Sequence, residues 1–542
     1  MRELDDVLTW TEEPRPDHGI SFLGSDGWDF WSYQRLAENA GLMAGALAES
    51  GVEPDDVVVS VLPSGPRFVV ALFGAMLAGA TVSPVAPAAV WHQSGQYNAH
   101  LTRVLGVARP KKVVAGANKA GQFADAVAAA GSELISYEDL MANGSPFRTA
   151  PSDLALLQLT SGSSGNPRGV RVSRRALSNN MRAIHRWLDL ADRPCSAHWM
   201  PFHHDMGLIG GLLMPAVHQS DCWSLRPGDF VRDPLAYLRC FGEAGGAEIG
   251  TMPNFGLEQV ISRVTPERLA GLDFSGWRSV VVGAERLDPV VFEQFTDLLA
   301  PFGFRRSALT PAYGLAEATL AVSGLSRLRE PRYVRLDQDG RAVVTSDTHG
   351  ALIGCGTPLG GVDVRIVDES GAPVPEGTVG EIVVSSTSLA DGYVSGVADS
   401  ASLTTFAETV LNTGDAGVVH DGELFPVGRL GDSMKVRGRA LFAEDLEVAL
   451  RELGISGHAV AVLLGTRGTE PVAVAVLEEV PEDMVARVTK LLARLTAGVE
   501  IDVVCGPFRT IERTTSGKPR RRTMWRRYLA GELSPLDVGT RG

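Results

Sequence analysis

The run Leu159-Thr160-Ser161-Gly162-Ser163-Ser164-Gly165-Asn166-Pro167-Arg168-Gly169-Val170 packs glycines and hydroxyls into one short segment and ends it with a cation. Glycines let backbone N–H groups come close to an anion, and Ser/Thr hydroxyls add donors. A polyphosphate needs that composition, although a polar surface hairpin shares it. No Gly-Lys-Ser/Thr closes the segment, so it is not a Walker A loop.

Weaker signals follow in order. Tyr313-Gly314-Leu315-Ala316-Glu317 sets an aromatic ring four residues before a carboxylate. On a loop entering a helix, the ring could flank a purine and Glu317 could hold a divalent cation, because carboxylate and phosphate oxygens are the usual Mg²⁺ ligands. An ordinary helix start reads the same way. Thr413-Gly414-Asp415 offers a turn carboxylate for two ribose hydroxyls, and Gly428-Arg429 could add a ribose or phosphate contact. Most such triplets are simple turns. Thr514-Thr515-Ser516-Gly517-Lys518-Pro519 is a second polar loop, whose lysine is a compact charge suited to a carboxylate or phosphate. Arg520, Arg521, Arg522, Arg526 and Arg527 follow, as a solvated helix face or a dock for an acidic partner.

These residues need a large scaffold. At 542 residues the chain exceeds one ordinary core, so two or more domains are expected. A formal net charge of −14 argues against a general nucleic-acid binder. Cys195, Cys222, Cys240, Cys355 and Cys505 form no metal motif or disulfide framework, which suits a reducing cytosol. The start lacks a basic, then apolar pattern, so no signal peptide is expected. The apolar stretch 68–82 is shorter than the ~20 residues that span a bilayer and reads as a buried helix running into a strand.

Residues 33–50 and 66–79 have helical patterns, and Val57 to Leu62, Val113 to Ala115 and Val280 to Val282 read as buried strands. This alternation predicts an α/β fold, a large N-terminal domain with parallel sheets covered by helices. A β-rich subdomain is expected from about 350 to 431. Residues 326–350 read as polar and irregular, an insertion or a flexible loop. The glycine-rich stretch 428–439 marks a hinge before a small, mobile α+β domain, giving domains 1–431 and 432–542.

Taken in order, the phosphate loop, Gly283-Ala284-Glu285, Tyr313 to Glu317, Thr413 to Asp415, Gly428-Arg429 and Thr515 to Lys518 resemble the adenylate-forming superfamily of acyl-CoA synthetases, peptide-synthetase adenylation domains and luciferases. Within it, the chain is most similar to fatty acyl-AMP ligases. That similarity rests on Met200 to Gly211, Pro253-Asn254-Phe255, Tyr313 to Leu320, Val436 to Arg439 and Tyr528 to Leu533.

The resemblance implies activation of a carboxylic acid as acyl-AMP with ATP and Mg²⁺, then transfer to a carrier-protein thiol. It implies that Thr160, Ser161, Gly162, Ser163, Ser164, Gly165 and Arg168 bind the triphosphate. Gly283, Ala284, Glu285, Tyr313 and Gly314 line the adenine site, and Asp415 with Arg429 holds the ribose. Glu317 is the Mg²⁺ ligand. Lys518, Glu317 and His204 stand nearest the chemistry, and His204, Asn254 and Phe255 border the acyl pocket. Asp432 becomes the hinge. Residues 320–353 would hold a trimmed form of the insertion associated with avoiding free CoA.

Departures from the family pattern are Arg168 for lysine, Ser164 for threonine, Ala440 to Ala443 without the usual Asn and Pro, and Gly256-Leu257-Glu258 for Ala-Tyr-Asp. They suggest a reshaped pocket and a bulky apolar acid. The alternatives are a ligase using free CoA and a protein that binds acyl-AMP or an acyl group without forming it.

Overall fold

The computed structural model describes residues 6–534 except 89–93, 161–166, 244–245, 328, 338, 395–402, 408, 437–438, 452, 469, 497 and 515–516. Two large sheets form the N-terminal part. The first has six strands in the order Glu133–Ser136, Lys112–Ala115, Val57–Val61, Thr81–Pro84, Leu154–Thr160, Arg168–Ser173. Its pairings are parallel except the last, an antiparallel hairpin. The second has nine strands, and the run from Leu309–Gly314 through Ser279–Val282, Ile249–Met252, Ser196–His198 and Cys222–Ser224 to Gly19–Gly24 is parallel.

The helix Tyr33–Glu49 starts at Ser32, whose side chain accepts the Arg35 N–H, and turns one apolar face inward. Helix Pro66–Leu77 begins with proline, which lacks the donor a first turn cannot use, and is buried from Phe68 to Leu77. Both helices share one core with the two sheets. Among the described residues no helix is long and apolar enough to cross a membrane.

The β-rich part pairs Val362–Val367, Gly380–Ser386, Val410–His420, Thr405–Ala407 and Glu423–Arg429, all antiparallel. The stretch expected to be irregular is ordered where it is described. Tyr333–Leu336 pairs with Ala342–Val344 and Leu352–Ile353 in a three-stranded sheet. Val334 is buried there, and Asp337 accepts the N–H groups of Asp339 and Arg341 across the turn. A polar turn and buried residues set side by side, Tyr333 with Val334 and Leu352 with Ile353, leave little alternation to read in the sequence.

Beyond the 3₁₀ turn Leu430–Asp432 come the hairpin Ser433–Val436/Arg439–Phe442 and a three-stranded sheet, Val460–Arg467, Glu470–Glu478 and Glu500–Gly506. Val460 and Val462 face one core with helices Ala443–Arg451 and Glu482–Thr496. Ala461 and Leu463 face another with Met524 and Tyr528 of helix Arg521–Leu529. Cover on both faces explains why these strands read as unbroken apolar runs.

Candidate active site

Thr160 and Arg168 are paired at the open end of the Leu154–Thr160/Arg168–Ser173 hairpin, so the glycine-rich segment is the connection between them. Ser161, Gly162, Ser163, Ser164 and Gly165 lie outside the described residues. The Arg168 guanidinium sits 3.4 Å above the Tyr393 ring and donates to the Thr404 carbonyl at 3.2 Å.

The Tyr313–Glu317 motif is not a helix start. Tyr313 and Gly314 end a strand that turns back antiparallel onto Ala321–Gly324. A Cβ on Gly314 would lie 1.9 Å from the Leu320 carbonyl oxygen, so the return strand approaches too closely for any other residue. Ala316–Ala318 is a single 3₁₀ turn, closed by Thr319 at φ 71°, ψ −58°. That backbone is strained for a β-branched residue. The Thr319 hydroxyl donates to Ser388 O at 2.6 Å.

Asn180, fully buried on helix Arg174–Leu188, clamps this turn. Its amide donates to Ala321 O at 2.8 Å and to Ala318 O at 3.4 Å, and its oxygen accepts the Ala321 N–H at 3.1 Å. Asn180→Ala should therefore lower the free energy of unfolding by about 3 kcal/mol, since buried backbone groups lose their partners. Urea denaturation checks this, with Arg175→Ala, at an exposed position of the same helix, as a control. A loss no larger than the control's would contradict the clamp.

Glu317 is buried, and its Oε1 accepts the Tyr393 hydroxyl at 2.7 Å. Tyr313 donates to Asp415 Oδ2 at 2.7 Å, and Arg429 Nε lies 2.8 Å from Asp415 Oδ1. The turn expected around Asp415 is instead the middle of the strand Val410–His420, where Asp415 pairs directly with Arg429. Gly414 has φ 69°, which frees the strand to kink there. An aromatic hydroxyl, a carboxylate and a guanidinium thus converge from three strands.

Gly283-Ala284-Glu285 follows the strand Ser279–Val282. A Cβ on Gly283 would meet Ala312 O at 2.9 Å, and Ala284 has φ 71°, a strained value away from glycine. Glu285 Oε1 accepts the Phe255 N–H at 2.6 Å, which ties this loop to the start of helix Asn254–Arg263. The Phe255 ring meets Trp199 and, 4.3 Å away and edge-on, His458 of the C-terminal part. Asn254, expected at the border of the acyl pocket, is buried, and its amide is engaged with Glu258 and the Asp288 N–H.

His203 and His204 have ring centroids 4.5 Å apart, directly before the π-helical segment Met206–Leu213, with the Asp205 side chain on the Met206 N–H. Burial pushes the His203 imidazole down, with His204 adding to the effect. Gly207 sits so near Pro201 O that a Cβ would be 2.3 Å away.

The loop bearing Lys518 is built by local bonds. Thr514 N donates to Lys518 O, Lys518 N to the Thr514 hydroxyl, and Arg513 to Gly517 O. Lys518 is exposed to solvent, with neighbouring protein atoms around it. Desolvation there lowers its amine, Arg429 lowers it further, and Asp205, Asp415 and Glu285 oppose the shift. Crowding raises the Glu285 carboxyl in turn, against the pull of the Phe255 N–H, Arg451, Lys518 and Arg513. Lys518 thus shares its electrostatic surroundings with the Asp415–Arg429 pair and Glu285.

Sequence reading missed the ties between the two parts of the chain. Arg451 reaches Glu258 at 2.8 Å and Asp288 at 3.4 Å, and Arg286 reaches Asp445 at 2.8 Å and the Val427 carbonyl. Arg521, expected on a solvated face or at a partner dock, is largely buried among Asp432, Glu444 and Glu447 at 3.0, 3.4 and 2.8 Å. Among the described residues, no three His, Cys, Asp or Glu side chains gather as a protein-only metal cage. Glu317 is a single carboxylate linked through Tyr393 to Arg168 of the Leu154–Thr160/Arg168–Ser173 hairpin, and Mg²⁺ is usually held by one or two carboxylates plus substrate phosphates.

Tyr313, Asp415 and Arg429 thus form one bonded group, and Glu317, Tyr393 and Arg168 form a second. The chain belongs to the AMP-binding enzyme family, which it matches over residues 9–394, within the adenylate-forming superfamily. It is 31% identical to the long-chain-fatty-acid-AMP ligase FadD26 of Mycobacterium marinum over 99% of each chain. It is 29% identical to the medium-chain-fatty-acid-[acyl-carrier-protein] ligase JamA of Moorena producens, over 94% of this chain and 91% of that one. A chain from a structural study of fatty acyl-adenylate ligases from E. coli and L. pneumophila superposes with a TM-score of 0.89 at 29% identity, covering 98% of this chain and 99% of that one.

Proposed function

We propose that this enzyme condenses ATP with a bulky apolar carboxylic acid, releasing pyrophosphate, and passes the acyl group from acyl-AMP to a carrier-protein phosphopantetheine thiol. The observation that carries this reading is that Tyr313 and Arg429 both hold Asp415, and that Lys518 shares the electrostatic surroundings of that pair.

A carboxylate and a triphosphate repel, so cations must screen both before in-line attack. The acid oxygen bonds to the α-phosphorus, the bond from that phosphorus to the bridging oxygen breaks, and its electron pair leaves with pyrophosphate. Lys518 bridges the acid carboxylate and the α-phosphate. Arg168 and the hairpin N–H groups hold the β- and γ-phosphates. Asp415 accepts the ribose hydroxyls, with Arg429 and Tyr313 fixing its orientation, and the Gly283–Glu285 loop with Tyr313 flanks adenine. Glu317 would hold Mg²⁺, which neutralises phosphate charge. In the second step the carrier sulfur bonds to the acyl carbon and AMP leaves with the electron pair of the broken C–O bond. The C-terminal unit, 432–542, turns about Asp432 between the steps, withdrawing Lys518 and admitting the thiol. The His203–His204 pair and Phe255 border the acyl chain.

The test is product analysis with ATP, Mg²⁺ and a panel of acids, offering free CoA and a phosphopantetheinylated carrier in parallel. Acyl-AMP accumulating alone and consumed by the carrier supports the reading. Consumption by CoA with no carrier loading would reassign the acceptor. ATP binding with no adenylate from any acid would favour the non-adenylating alternative.

The lowered Lys518 amine sets a pH dependence. Its protonated form is the one that screens charge, so adenylation falls as pH rises through the lowered amine value. Lys518→Arg should move that alkaline limb to higher pH in a profile of kcat/KM. An unmoved limb would assign it to another group.

A further inference from the structure

The Gly392-Tyr393 segment was not singled out by its sequence, yet it joins two of the functional motifs. Val170 and Tyr393 form an antiparallel bridge. Arg171 N donates to Gly392 O, Asp391 N to Arg171 O and Val394 N to Gly169 O, at 2.9, 2.7 and 2.9 Å. These bonds lay residues 391–394 along the strand that carries Arg168. The Tyr393 ring then has Arg168 stacked on one face and Phe406 edge-on at 5.3 Å. Its hydroxyl reaches Glu317, whose own carbonyl accepts the Ala390 N–H at 2.9 Å.

We propose that Tyr393 is a positioning residue which fixes the Glu317 carboxylate for a divalent cation and, with the same ring, aims Arg168 at the triphosphate. This rests on the proposed adenylating function. A hydroxyl on one carboxylate oxygen leaves the other directed to the metal, the role outer-shell groups play at metal sites. The ring also accounts for arginine at 168. A planar guanidinium stacks on an aromatic face, and an ammonium group cannot. Arg168→Lys keeps the charge and loses the stack.

The test uses Mn²⁺ as a paramagnetic substitute for Mg²⁺, titrated by electron paramagnetic resonance into the full chain with a non-hydrolysable ATP analogue and no acid. Tyr393→Phe retains the ring, and thermal melting confirms the fold. Tyr393→Phe is expected to weaken nucleotide-dependent Mn²⁺ binding by about ten-fold. In a Glu317→Gln chain the same change should add no more than about two-fold, because the hydroxyl acts through that carboxylate. Equal weakening in both backgrounds, or Tyr393→Phe binding Mn²⁺ as the unaltered chain does, would overturn the proposal. The titration involves no acid and no turnover. Failure to adenylate any acid would therefore refute the proposed reaction separately from this result.

Discussion

Lys518→Ala is expected to slow acid-dependent adenylation by about 10²–10³-fold while leaving carrier loading from a preformed acyl-AMP nearly unchanged. The reason is electrostatic. Lys518 shares its charged surroundings with Arg429 and Asp415, and in the proposed reaction it screens charge on the α-phosphate and the incoming carboxylate. Once the adenylate exists, that work is done, and rotation would carry the loop away. The check is to supply synthetic acyl-AMP and measure thioester formation beside the forward reaction. Equal loss of both half-reactions would show that the lysine holds the fold or serves both steps.

The second large effect falls on Asp415. Asp415→Ala should raise the KM for ATP by about 10²-fold, as hydrogen bonds to a charged acceptor contribute roughly 1.5–3 kcal/mol each. Asp415 also holds Tyr313 and Arg429, and with the carboxylate gone both lose the group that aims them. Arg429 is half-exposed, so the ion pair itself adds little stability and the effect should appear in nucleotide binding. Calorimetric titration with ATP checks this, with Asp415→Asn expected to fall between the two. A variant that binds ATP normally but loses acid turnover would move Asp415 from the ribose to the acid.

The parallel sheets were legible because their strands are apolar runs between helical patterns, as in Val57–Val61 and Ser279–Val282. The glycine-rich segment was legible as a connection from composition, and Thr160 and Arg168 pair on either side of it. Contacts between distant residues were not. Arg521 stands 89 positions from Asp432 and 74 from Glu447, so a run of arginines looked like a solvated face. Asn180 reads as one more polar helix residue until the turn it clamps, 138 and 141 positions away, is in place. Both readings of the Glu317 segment, a loop entering a helix and an ordinary helix start, placed a helix there, because the deciding fact is the return of Leu320 onto Gly314. For Tyr393, a Gly-Tyr pair signals only a bend, and its use depends on Arg168 and Glu317 arriving from two other segments.

Acid-dependent exchange of pyrophosphate into ATP is the most direct measurement, made with purified enzyme and Mg²⁺ against fatty acids of graded length, aryl acids, polycyclic acids and amino acids. Exchange is predicted with one apolar class and should vanish in Lys518→Ala. Exchange that persists undiminished in Lys518→Ala would contradict the role proposed for this lysine in adenylation.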